Sequence, residues 1–197
     1  MSVLAVGTIG LSLLATTDVA ALTCVEINGA GEAAFLRSLQ ALPKTKRRGI
    51  PAVYRVAAAG SVPAAELAAA DVIVVDPPRK GLEASLTAAL LSLDPCTTSG
   101  VVAGAQAQRV STGAQAQHAA AGGGSADTVS PEQRSAVGKQ RLVYLSCGLD
   151  ALLRDLELLL APQAPGGRAV WQLLQAQAFV FFPGTDSIET LVLLERC

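Results

Sequence analysis

Asp71-Val72-Ile73-Val74-Val75-Asp76-Pro77-Pro78-Arg79-Lys80-Gly81 is the stretch that decides the fold. The apolar run through Val75 reads as a buried strand that stops abruptly. The double proline ends it and fixes the backbone, so the Asp76 carboxylate is expected to point into a crevice instead of pairing along the sheet. On either side the pattern is helical, over Ala64–Ala70 before the strand and Leu82–Leu93 after it.

The same alternation continues outward. Upstream, Val3–Val6, Gly7-Thr8-Ile9-Gly10, Leu11–Leu14 and Ala20–Ile27 read as strand, glycine turn, short helix and strand. Ala30–Leu42 predicts a helix with a stripe of Ala33, Leu36, Leu39 and Leu42, closed by Pro43, and Val53–Ala58 predicts a third strand. Downstream, Arg141–Leu145 predicts a strand, Asp150–Leu160 a helix, Ala169–Phe182 an extended segment and Ile188–Glu195 a last strand. Strands alternating with helices imply an α/β fold with a doubly wound, mostly parallel sheet covered on both faces. Ligands of such sheets sit at the C-terminal ends of the strands. The loops at Gly7, Asp76 and Cys147 all fall there.

A chain of 197 residues, 51% apolar and 16% charged, is expected to form one domain with a substantial core. Fifteen basic against sixteen acidic residues leave a net charge of −1, which argues against autonomous binding to RNA phosphates. The dense basic run Lys44–Arg48 is read first as a solvated loop and second as a phosphate-binding patch. Cys24, Cys96, Cys147 and Cys197 show no CxxC pairing, and the single histidine, His118, lies in low-complexity sequence. A disulfide framework or a metal site is therefore not expected, and free thiols fit an intracellular protein. The apolar start, Ser2–Leu22, lacks a preceding Lys or Arg and is interrupted by Gly7 and Gly10, which disfavours a secretory signal or a membrane span. Residues from about 96 to 140 are rich in Ala, Gln, Gly, Ser and Thr without core-building spacing, and are read as a flexible insertion.

Four segments carry chemistry. Gly7-x-x-Gly10 followed by Glu26 suits a backbone approach to a ligand and a carboxylate for ribose hydroxyls. Asp76–Gly81 places a rigid acid. Val143-Tyr144-Leu145-Ser146-Cys147-Gly148 sets a thiol between a buried strand and a helix start, where positive partial charge favours the thiolate. Phe182-Pro183-Gly184-Thr185-Asp186-Ser187-Ile188-Glu189 brings a carboxylate to the beginning of an apolar strand, a place for a tuned base. Each also has a structural reading: a tight turn, a strand terminator, a core cysteine and a solvent-facing acid.

Together the segments resemble the bacterial-type RNA uracil-C5 methyltransferases that modify tRNA or large-subunit rRNA. That family carries DPPR-x-G, Y-x-SC and FP-x-T-x-H-x-E, which here read Asp76–Gly81, Tyr144–Cys147 and Phe182–Glu189. The resemblance covers roughly two-thirds of the chain and implies the class I S-adenosylmethionine-dependent, Rossmann-like fold. It also implies Cys147 as nucleophile toward uracil C6, Glu189 as base for the C5 proton, and Thr8, Glu26 and Asp76 as lining of the S-adenosylmethionine pocket. Departures are Val3 and Ala5 in the first motif, Gly148 where Asn is usual, and Ser187 where His is usual. The implied domain is a catalytic domain incomplete at its N-terminus, with tRNA or rRNA as substrate, no metal and no membrane, and a separate chain as one source of RNA binding. Cytoplasm is the default compartment, with an organelle as the alternative. The competing reading is an inactive methyltransferase-fold remnant acting as an interaction domain. A methyltransferase for adenine or protein nitrogen is a third, and it leaves Cys147 and Glu189 unused.

Overall fold

The structure is a computed structural model that describes residues 2–5, 7–47, 49–93, 139–181, 184 and 188–197. Parallel strands form most of it: β1 (Ser2–Ala5), β2 (Ala21–Glu26), β3 (Ala52–Val56), β4 (Val72–Val75) and β5 (Arg141–Ser146). Two more, β6 (Trp171–Phe179) and β7 (Glu189–Arg196), complete a seven-stranded sheet in the order β3-β2-β1-β4-β5-β7-β6. Strand β7 runs antiparallel between β5 and β6, with Ser146 opposite Thr190 and Phe179 opposite Glu189. The order steps away from β1 in both directions, which opens a crevice at the strand ends where β1 meets β4.

Period-two alternation sorts the strand side chains onto two faces. Leu22, Cys24 and Val74 meet Leu14 of α1 (Gly7–Thr16) and Phe35 of α2 (Glu32–Ala41) on one side. Ile73, Val75, Leu142, Tyr144, Val192 and Leu194 face the other. There they meet Leu67 of α4 (Ala64–Ala69), Leu90 of α5 (Ala84–Leu91), and Leu152 and Leu159 of α6 (Leu149–Leu159). The basic run forms a further short helix, α3 (Lys44–Arg47), instead of the expected loop.

Short helices leave a large share of their end carbonyls without an intrahelical partner. Two buried side chains from the sheet answer this. Gln140 Nε2 donates to the carbonyls of Leu67 and Ala70 at the end of α4, at 2.6 and 2.5 Å. The Trp171 indole N–H donates to Leu90 O near the end of α5, at 3.1 Å. Leu67, Leu90 and Trp171 are all buried.

Two expectations need correction. Gly7-Thr8-Ile9-Gly10 is not a turn followed by a short helix: α1 starts at Gly7, and Gly10 lies buried on its inward face with Leu14. Gly7 lies beside the Tyr54 ring, which would stand 3.6 Å from a Cβ there. In α2 the inward face is Phe35, Leu39 and Leu42, whereas Leu36 is 46% exposed and Ala33 is also exposed. The Phe35 ring sets that rotation by packing against Tyr54 of β3, with centroids 5.3 Å apart. The expected insertion lies outside the described residues except for Lys139 and Gln140, and so do Cys96 and His118.

Replacing Trp171 by Phe removes packing volume and strips Leu90 O of its donor, so we expect a loss of about 2–3 kcal/mol. Urea unfolding followed by far-UV circular dichroism measures it, since the variant lacks the only tryptophan.

Candidate active site

An open cleft of about 830 Å³, counting space continuous with solvent, lies at the C-terminal ends of β2 and β4. Both Glu26 and Asp76 line it, with Ile27, Val62 and Leu86 among its apolar walls. Glu26 is the last residue of β2, and its Oε1 accepts the Asn28 N–H at 3.1 Å. Asn28 in turn accepts the Ala30 N–H on its side chain at 3.0 Å, and its carbonyl takes the Tyr54 hydroxyl at 2.9 Å. A Cβ at Gly31 would lie 2.5 Å from that hydroxyl, so glycine keeps the turn closed. The loop therefore fixes the Glu26 carboxylate at the cleft, and its Oε2 makes no hydrogen bond among the described residues.

Asp76 follows the last residue of β4, and partial burial pushes its carboxyl above the usual carboxylate range. An acid whose folded value is raised opposes folding above that value, and this penalty is relieved as pH falls through it. A cation seated beside Asp76 reverses the effect.

The thiol and the second acid lie at another part of the same sheet edge. Cys147 is half-buried, one residue past the Ser146–Thr190 rung, and Glu189 is one residue before Thr190. The two therefore terminate adjacent strands side by side. Glu189 faces Phe179 across the β6–β7 ladder, so their side chains share one face. The Phe179 ring stacks on that of Phe181, 7° from parallel with centroids 6.0 Å apart, and Phe181 is 64% exposed.

Two glycines hold the Asp76 loop against the Cys147 loop. At Gly148 a Cβ would lie 2.5 Å from Arg79 O, so the two backbones touch there. Gly81, at φ +91°, has Asp155 Oδ2 at 2.6 Å from its would-be Cβ. Asp155, buried on α6, accepts the Leu82 N–H at 2.8 Å and the Tyr144 hydroxyl at 2.6 Å on that same oxygen. Burial first, then this bond, holds the Tyr144 phenol above its ordinary value, so it stays a donor.

The cleft thus unites Glu26 with Asp76, and the strand ends unite Cys147 with Glu189. Thr8 is exposed on the first turn of α1 and is not among the residues lining the cleft. Phe182, Pro183 and Thr185–Ser187 lie outside the described residues. Cys24 is core: its thiol is buried and pushed up to about 12. Sequence reasoning missed Asp155. Its signal is a lone carboxylate on the buried stripe Ala151, Leu152, Asp155 and Leu159 of α6. Among the described residues no group of three or more His, Cys, Asp or Glu side chains is placed to hold a metal, and no helix is long and apolar enough to cross a membrane.

The sheet order with its antiparallel seventh strand, covered on both faces, is the class I S-adenosylmethionine-dependent methyltransferase fold, of Rossmann-like type. The crystal structure of SMU.776, a candidate methyltransferase complexed with SAH, matches 98% of the chain and 44% of its own at TM-score 0.52 and 10% identity. That identity carries the fold and nothing finer. In sequence, the chain is 31% identical over 130 residues to an uncharacterized RNA methyltransferase of Parasynechococcus marenigrum, covering 66% of this chain and 17% of that protein. It is 27% identical over 191 residues to an uncharacterized RNA methyltransferase of Protochlamydia amoebophila, covering 97% and 35%. The chain thus spans about a third or less of these relatives' lengths. No family model matches it.

Gly81→Ala and Gly148→Ala are each expected to destabilise the chain by about 1–3 kcal/mol, the first through collision with Asp155 added to left-handed strain and the second through backbone collision with Arg79. Gly166→Ala, also at positive φ but with open space around it, is the control and should cost less in the same urea titration.

Proposed function

We propose that the chain is the catalytic domain of an S-adenosylmethionine-dependent RNA methyltransferase that modifies uridine C5 in tRNA or rRNA. The observation that carries this reading is the pairing of Cys147 and Glu189 on adjacent strand ends, joined through Gly148 and Arg79 to the loop of Asp76. The two relatives named RNA methyltransferases support the substrate class. A methyltransferase for adenine or protein nitrogen needs neither the thiol nor its neighbouring acid.

The cleft suits the cofactor. Glu26 Oε2 is available to ribose hydroxyls, Ile27 and Val62 offer apolar cover to a flat base, and Asp76 attracts positive charge. Thr8, on the first turn of α1, is assigned to the same pocket by the family resemblance. S-adenosylmethionine supplies an electrophilic methyl group there.

Uracil C5 is a weak nucleophile, and the residues of this chain answer that. The Cys147 thiolate forms a bond to C6, and the C5–C6 electron pair moves toward O4 as an enolate, making C5 nucleophilic. Once C5 carries the methyl group, Glu189 takes the C5 proton. The electron pair of that C–H bond re-forms C5=C6 and expels the Cys147 thiolate. Phe179 and Phe181 lie next to Glu189, where an exposed aromatic face suits stacking with an unpaired base.

RNA containing 5-fluorouridine tests the chemistry, because fluorine at C5 cannot leave as a proton. With S-adenosylmethionine present, a covalent protein–RNA adduct is expected by denaturing gel and intact mass, and Cys147→Ala abolishes it. Glu189→Gln on ordinary RNA should instead accumulate adduct. No adduct from folded protein that binds S-adenosylhomocysteine favours the inactive interaction domain, or a separate chain that delivers the RNA. Phe181→Ala is expected to raise KM for RNA about ten-fold with little change in kcat, the size of one lost base stack. Affinity for S-adenosylhomocysteine should fall as pH drops through the raised Asp76 value, because only the carboxylate attracts the ligand's ammonium group. Calorimetry across pH, with Asp76→Asn as the flat reference, measures it.

A further inference from the structure

We propose that Asp155 is a positioning residue that makes the cleft loop and the Cys147 loop one mechanical unit, so that a ligand held at Asp76 sets the reactivity of Cys147. The proposal rests on reading the cleft as the cofactor pocket.

Asp155 Oδ2 accepts the Leu82 N–H at 2.8 Å and the Tyr144 hydroxyl at 2.6 Å. Leu82 ends the loop that begins at Asp76, and Tyr144 lies on β5 three residues before Cys147. Asp155 itself belongs to α6, the helix that starts two residues after Cys147. Loop, strand and helix therefore meet at one carboxylate, 8% exposed. Hydrogen bonds to a buried carboxylate are short and strong, and leaving their donors unmade is costly. The loop has little freedom to give way between these points. Pro77 and Pro78 stiffen its start. Gly81 closes against Asp155 and Ala151, and Arg79 O sits in the space left by Gly148. Displacement at Asp76 is thus passed to both ends of the segment that carries Cys147.

The test uses the full chain, S-adenosylhomocysteine and iodoacetamide, with alkylation of the Cys147 peptide followed by mass spectrometry. In the wild type, saturating S-adenosylhomocysteine is expected to slow alkylation about five-fold or more, through a displacement of loop 76–82 passed on to the Cys147 segment. Tyr144→Phe keeps the ring and removes one bond to Asp155, and the ratio should fall below about two. Asp155→Asn keeps an acceptor for Leu82 and should give an intermediate ratio, which also serves if Tyr144→Phe does not fold. An unchanged ratio in both variants means that the ligand shields Cys147 directly, and overturns the proposal. So does a wild-type ratio of one when calorimetry shows the ligand bound. Hydrogen exchange without ligand gives a second arm. Tyr144→Phe should accelerate amides in 76–82 and 147–152 together, whereas acceleration in one segment alone overturns the linkage. Absence of binding by calorimetry defeats the cofactor assignment, and the exchange arm still decides the linkage.

Discussion

A buried carboxylate oxygen that takes two hydrogen bonds from distant parts of the chain is the constraint on which this site depends. The Leu82 amide and the Tyr144 hydroxyl are 73 and 11 residues from Asp155 in sequence. Each would be stranded in the core without it. A buried donor left unpaired costs more than a typical hydrogen bond contributes, so the arrangement acts mainly by excluding alternatives. The loop that carries Asp76 has one place to lie, and that place puts its backbone against Gly148. The left-handed backbone at Gly81 and the missing side chain at Gly148 are both consequences of the same close approach.

The rest of the core follows a related rule. An Ala-rich chain with short helices buries little apolar area per helix and ends each one with unpaired carbonyls. Gln140 and Trp171 reach from the sheet to those carbonyls, so polar atoms at helix ends become tie points between layers. The bidentate Arg55–Glu66 pair joins β3 to α4 in the same sense at the opposite edge, although its exposure limits its contribution.

Much of this was legible beforehand because it rests on local pattern. The run ending in Val75-Asp76-Pro77-Pro78 admits only a buried strand that stops, and the structure ends β4 at Val75. Glu26 closes β2 and Glu189 opens β7, as alternation and turn residues imply. What local pattern misjudged was rotation and contact. In α2 the expected stripe ran through Leu36, whereas the ring of Tyr54, from another strand, packs against Phe35 and turns that residue inward. The glycines at 7 and 10 signalled a turn because glycine more often breaks helices, yet here both lie within the start of α1. Asp155 escaped notice for a similar reason. A carboxylate on an apolar helical stripe is informative only when its partners are known, and these lie on a strand and in a loop outside its own helix.

Among the described residues β6 is the outer strand of the sheet, and from Trp171 to Phe181 it contains no charged residue, glycine or proline. Its outward backbone groups are thus a ladder with no gatekeeper along it, flanked by exposed Leu173, Leu174, Val180 and Phe181. Proteins commonly guard such an edge with lysine, proline or a bulge, and here only the irregularity between Leu173 and Gln175 serves that purpose. The rim that presents aromatic faces beside Glu189 therefore coincides with the strand edge that β6 leaves unpaired among the described residues.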